Sequence, residues 1–198
     1  KTKLSIALAK AVNGEIISAD SMQVYKHMDI GSAKIMPEEM DGVRHYLVDE
    51  LEPFEEFHVV RFQEMAKSAI RSRGHIPILV GGTGFYIQAV VRDIDFTENE
   101  ASPYRAELER LAEEKGSTWL HEELKKVDPE SAEAIHENNI KRVIRALEFY
   151  KLTGKKISEH NEEQRERQSP YNFAYFVLND EREHLYRRIE QRIDQMME

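Results

Sequence analysis

The chain has 198 residues, 40% of them apolar and 33% charged, with a formal net charge of −9. That balance suits one globular domain, or one domain carrying a sizeable insertion. With no apolar run of about 18 residues and no cysteine, the sequence excludes membrane-spanning helices, disulfides, thiolate zinc sites and cysteine nucleophiles, and it points to the reducing cytoplasm.

Taken in chain order, Leu4, Ala7, Leu8 and Ala11 recur at helical spacing and are closed by Asn13-Gly14. Glu15–Ala19 (EIISA) is a short apolar run of the kind found in buried parallel strands, and His45–Val48 is a weaker strand candidate. A helix follows with Phe62, Met65, Ala66, Ala69 and Ile70 on one face and Gly74 as its stop. Ile76–Val80 (IPILV) reads as the next buried strand, and Gly81-Gly82-Thr83-Gly84 turns into a helix from Phe85. This alternation predicts an α/β fold with a mostly parallel sheet.

The pattern changes near residue 97. Helices are expected over about 103–115, with Leu108 and Leu111, over about 117–126, and over about 138–152, ending at Thr153-Gly154. The polar stretch from about 160 to 170 reads as loop, Phe173–Leu178 (FAYFVL) as a further strand, and a long helix follows from about 181. The expected organisation is thus an α/β core over 1–96 and 171–198 with a helical insertion over 97–170. The opening straight into a helix pattern, and the stop at Glu198 inside another, suggest a chain truncated at both ends.

Open parallel sheets bind ligands at the carboxyl ends of their strands. Asp20-Ser21-Met22-Gln23 follows the first strand directly, and Gly81-Gly82-Thr83-Gly84 follows IPILV. Asp20 would emerge there as a base or a metal ligand, although helix capping uses the same residue types. The glycines equally suit a tight turn that brings helix and sheet together. Lys1-Thr2 at a helix start would complete a phosphate loop if glycines preceded it, but two residues alone make a weak motif. The net charge argues against wholesale polyanion binding, whereas Lys141, Arg142 and Arg145, and separately Arg182, Arg187, Arg188 and Arg192, form local basic clusters. Each cluster is equally readable as a solvated helix face, and Arg145 as half of a structural salt bridge. The eight histidines show no metal-ligand spacing.

Read in order, ISADSMQVYKHMDIGSAK (17–34), ILVGGTGFYI (78–87) and IKRVIRALEFYKLTGK (140–155) resemble the tRNA dimethylallyltransferase family. The family's D-S-x-Q-x-Y, G-T/S-A-K, V-G-G-T-x-x-Y and R-x-x-R-A-L-E elements correspond to Asp20–Tyr25, Gly31–Lys34, Val80–Tyr86 and Arg142–Glu148. The resemblance spans nearly the whole chain. It implies a P-loop NTPase-like core in which Lys1 and Thr2 end the phosphate loop, the glycines before them being absent here.

It further implies transfer of a dimethylallyl group from dimethylallyl diphosphate to the exocyclic amine of the adenine 3′ of the anticodon in tRNA. Asp20 would be the general base, with Thr2 and Arg192 beside it in catalysis. Lys1, Thr2, Arg192 and, more loosely, Lys34 would hold the diphosphate, and Thr2 would carry Mg2+. Contacts to the anticodon stem-loop would come from Asp20, Ser21, Met22, Gln23, Thr83, Arg105, Lys141, Arg142, Val143, Ile144 and Arg145. A soluble monomer is expected. The competing readings are an adenylate isopentenyltransferase, a P-loop kinase for a small substrate, and a non-catalytic RNA-binding module. The insertion with its basic cluster favours tRNA over a mononucleotide.

Overall fold

A computed structural model describes residues 1–71, 74–96 and 102–197. The chain divides into two compact units, Lys1–Ile94 with Ser169–Glu198, and Asp95–Gln168.

In the first unit, helix α1 (Thr2–Val12) leads into strand β1 (Gly14–Ala19). Asn13, with φ of 52°, makes the left-handed turn between them. Strand β2 is only His45–Tyr46, because Leu47 turns to a φ of 61° and ends the extended run expected to reach Val48. Helix α2 (Val59–Ile70), strand β3 (Ile76–Gly81) and helix α3 (Gly84–Val91) complete the alternation. The sheet is wholly parallel, in the order β2-β1-β3, as expected for an α/β fold. One core forms where Phe62, Ala66 and Ala69 of α2 meet Ile17, Ala19, Leu47, Tyr86 and Val90, and a second forms where Ile6 and Ala9 of α1 meet Ile16, Ile35 and Val43.

Two expectations for this unit need correction. The apolar face read on α1 is the outer one: Leu4, Ala7, Leu8 and Ala11 are exposed, while Ser5, Ile6 and Ala9 are buried. Small Ser5 and Ala9 let α1 lie close on the sheet, which a face of leucines would prevent. The strand expected at Phe173–Leu178 is irregular and exposed, with Phe176 77% and Val177 75% accessible. High β-propensity forms a strand only when a neighbouring strand supplies the ladder, and no described strand pairs with this segment. Helix α9 (Arg182–Met197) closes the chain and buries none of its side chains.

The second unit is helical, with α4 (Pro103–Lys115), α5 (Ser117–Val127), α6 (Pro129–Ala134), α7 (Ile140–Thr153) and α8 (Ile157–Glu166). Its core joins Leu108, Leu120, Leu124, Val143, Ile144 and Leu147. Helix α8 overturns the loop expected from residue 160. Apart from Ile157, which packs partly buried against the helical core, it is polar and has no fully buried residue. It starts where Asp128 accepts from the main-chain N–H and the hydroxyl of Ser158 at 3.0 and 2.7 Å. Among the described residues, no helix is long and apolar enough to cross a membrane.

Candidate active site

The pairing of β1 with β3 sets the site. Ala19 stands opposite Gly81, so the two strands end level and their following residues leave the sheet side by side. Only glycine fits at 81, since a Cβ there would lie 2.0 Å from the carbonyl oxygen of Ala19. The N–H of Thr83 donates to that same oxygen at 3.3 Å, tying the second loop to the end of β1.

A cleft of about 260 Å³ opens at this edge, and Lys1, Thr2, Ser18, Asp20, Gln23, Gly81 and Arg192 all line it. The amino end of α1 therefore faces the space, with the partial positive charge of its free N–H groups. Lys1 lies beside the glycine loop, where a Cβ on Gly82 would come 3.2 Å from its Nζ. Lys1 and Arg192 thus bring two cationic side chains to the cleft.

Asp20 caps no helix, since residues 21–24 form a turn, but its carboxylate is held within that turn. Its Oδ1 accepts from the N–H groups of Met22 and Gln23 at 2.9 and 3.3 Å, which fixes the carboxylate in the turn. Its Oδ2 accepts no hydrogen bond among the described residues, so one carboxylate oxygen is pinned and the other is available. Main chain lines another part of the cleft. Gly31, Ser32 and Ala33 line the cleft, Gln23 Nε2 donates to the carbonyls of Ser32 and Ala33 at 3.4 Å, and Arg192 Nη2 donates to that of Ala33 at 3.1 Å.

Lys34 stands apart from the diphosphate role expected of it. Its side chain is fully buried, and Nζ donates to the carbonyl of Tyr25 at 2.6 Å, to Asp29 at 2.7 Å and to Asp49. Three donors are already spent on three acceptors. Burial pulls its pKa down, but the hydrogen bonds and charges of Asp29 and Asp49 outweigh that and hold it above the ordinary value. Lys34 thereby ties the strand-end loop to residue 49. Sequence reading missed His45, which lines the cleft and donates from Nδ1 to the carbonyl of Val43 at 2.8 Å. Its only sequence signal was a place on a weak strand.

In the helical unit, Lys141, Arg142 and Arg145 are exposed on α7 and pair with no carboxylate among the described residues. The salt bridge considered for Arg145 is instead made by Arg105, which donates to Glu148 from Nε and Nη2 at 3.0 and 2.7 Å. Val143 and Ile144 are 0% and 4% exposed within the helical core. Their side chains are therefore closed to RNA, contrary to expectation, because on an amphipathic helix they share the inward face. Ser21, Met22 and Thr83 are at least partly accessible at the strand ends.

Among the described residues, no group of three or more His, Asp or Glu could hold a metal ion by itself. The Thr2 hydroxyl, on the same cleft, is the group that could share Mg2+ with substrate phosphates, since Mg2+ binds few protein oxygens.

Comparison with known proteins gives the family and the fold. Residues 23–198 match the family described as IPP transferase. A tRNA dimethylallyltransferase of Lachnoclostridium phytofermentans is 67% identical across the whole chain, which spans 64% of that protein. One of Carboxydothermus hydrogenoformans is 50% identical, with 65% of its length covered. Among solved structures, a eukaryotic dimethylallyltransferase acting on tRNA aligns with a TM-score of 0.86 at 34% identity, over all of this chain and 50% of its own. The tRNA isopentenylpyrophosphate transferase of Bacillus halodurans aligns at 0.64 with 49% identity, over 100% of this chain and 62% of its own. With its parallel sheet, its paired strand-end loops and this match from Gln23 onward, the chain belongs to the IPP transferase family.

Proposed function

We propose that the whole protein transfers a dimethylallyl group from dimethylallyl diphosphate to the exocyclic amine of the adenine 3′ of the anticodon in tRNA. The carrying observation is the cleft at the level strand ends, where a pinned carboxylate with one open oxygen shares a space with Lys1, Thr2 and Arg192. The acceptor amine is weakly nucleophilic because its lone pair is delocalised into the ring. As its nitrogen bonds to the allylic carbon, that carbon's bond to the diphosphate oxygen breaks and the electron pair leaves with the diphosphate. The amine proton passes to Asp20 Oδ2, a contribution of about 10²- to 10⁴-fold for a positioned base.

Charge growing on the diphosphate is met by Lys1, by Arg192 and by the amino end of α1. Mg2+, held by the Thr2 hydroxyl and diphosphate oxygens, would add further charge stabilisation when bound. Arg192, held against the Ala33 carbonyl, keeps donors for the diphosphate on its exposed guanidinium. Extracting the adenine from its stack costs about a few kcal/mol. The unpaired cations on α7 are suited to offset this through the RNA backbone. The names of the relatives support the acceptor class.

The test is transfer of label from dimethylallyl diphosphate to unmodified tRNA, with and without Mg2+, with AMP as competing acceptor. Label on tRNA alone is expected. Label on AMP would move the protein to the mononucleotide branch, and label on neither would overturn prenyl transfer.

A further inference from the structure

Glu148 is a buried carboxylate for which the proposed chemistry has no use. It lies on α7 three residues after Arg145 and seven after Lys141, so the three side chains share one stripe of the helix. The stripe is exposed at Lys141 and Arg145, yet at Glu148 accessibility falls to 0%. The cover is Arg105, at the start of α4. Its Nε and Nη2 both donate to Oε2 of Glu148, and Ser102 Oγ donates to Oε1 at 2.7 Å. Burial disfavours the charged carboxylate, but Arg105 and Ser102 outweigh it and hold Glu148 below its ordinary pKa. Arg105 nonetheless keeps 43% of its side chain exposed, and its Nη1 donates to nothing among the described residues.

We infer that Glu148 is a positioning residue that fixes the Arg105 guanidinium at the end of the α7 stripe, so that RNA meets Lys141, Arg145 and Arg105 in line. This rests on the RNA acceptor proposed above. A bare carboxylate at that place would repel phosphate. Buried and covered, it becomes the seat of a third cation. The seat uses one edge of the guanidinium fork and leaves the outer edge, with its two Nη1 hydrogens, for a phosphate oxygen. Holding the fork in advance removes the rotamer entropy that a free arginine would lose on binding. A salt bridge serving only to join α4 to α7 would need no exposed half of the guanidinium.

The test compares binding of an unmodified anticodon stem-loop RNA by the wild-type chain, Arg105→Ala, Glu148→Gln and the double variant, across a salt series. Circular dichroism confirms folding at the temperature used. The two single variants are each expected to weaken binding about tenfold, and the double variant no more than either alone, since they remove one unit. The salt slope should fall by about one ion for Arg105→Ala. Unchanged affinity in folded Glu148→Gln, or losses that multiply in the double variant, would leave the pair a purely structural tie and overturn the inference. If Glu148→Gln does not fold, Arg105→Lys decides. Its retained charge without a fork should bind as weakly as Arg105→Ala, and wild-type affinity would refute the positioning role. Failure of the wild-type chain to bind the RNA would remove the acceptor reading itself, and this inference with it.

Discussion

Lys34 Nζ lies 2.7 Å from Asp29 Oδ1 with no part of its side chain exposed, although half of Asp29 remains in water. The pair therefore anchors the loop from inside rather than presenting charge to a ligand. Lys34→Met should cost about 2 kcal/mol, less than a fully buried pair because Asp29 and Asp49 can rehydrate. Denaturant midpoints measure it. A variant of normal stability but greatly weakened diphosphate binding would restore Lys34 to the ligands.

The same group gives an alkaline signature. Its pKa is raised in the folded state, so its contribution is complete below the unfolded value of about 10.4 and is lost as pH rises through the higher folded value. Wild type should lose stability over that range more steeply than Lys34→Met. Parallel curves would contradict the assignment.

Asp128 supplies the acid counterpart in the helical unit. It is buried, which favours the neutral form, but four hydrogen bonds from Ser131 and Ser158 outweigh this and lower its pKa. Its contribution is thus present above the ordinary carboxylate value of about 4 and lost as pH falls through the depressed folded value. Asp128→Asn should remove about 2 kcal/mol near neutral pH and progressively less in acid. Thermal melts across pH would show it.

For the chemistry, Asp20→Asn should lower turnover by about 10²-fold or more while RNA affinity stays within about threefold. Asparagine keeps an oxygen for the N–H groups of Met22 and Gln23, so the turn survives and the comparison isolates the open oxygen. Single-turnover rates beside RNA binding separate the two. Equal loss of both would reduce Asp20 to a brace for its turn.

Two glycines in one loop should behave oppositely. Gly81→Ala forces a methyl onto the Ala19 carbonyl and should cost about 3 kcal/mol or more. Gly84→Ala meets nothing within 4 Å and should be neutral, or stabilising by about 0.5 kcal/mol. Urea titrations of the two variants test the strand-end geometry without any substrate.

Much of this architecture was legible in the residues, and the misses share a physical cause. Strand β1 and helices α2, α4, α5 and α7 could be read because burial imposes a pattern on the sequence. Strand β3, expected to be buried, was legible from its apolar run although it lies at the sheet edge with no residue fully buried. On α1 the period misled, since the buried face is made of Ser5, Ile6 and Ala9 and the leucines point outward. Helix α8 left no pattern because only Ile157, at its first position, packs on the core. At the site, Asp20 could be placed at a strand end from spacing alone. The carbonyl wall of Gly31, Ser32 and Ala33, and the interior place of Lys34, could not, because main-chain walls and ion pairs between distant residues leave no local signature.

The irregular segment Phe173–Leu178 has a practical consequence at the bench. Six consecutive apolar residues stand in the open without a charge among them, which is the composition of sequences that self-associate into cross-β assemblies. Turbidity in concentrated stocks should therefore track this segment rather than the net charge of −9. A lysine at Phe176, the most exposed of the six at 77%, is the gatekeeper substitution that should keep the chain in solution.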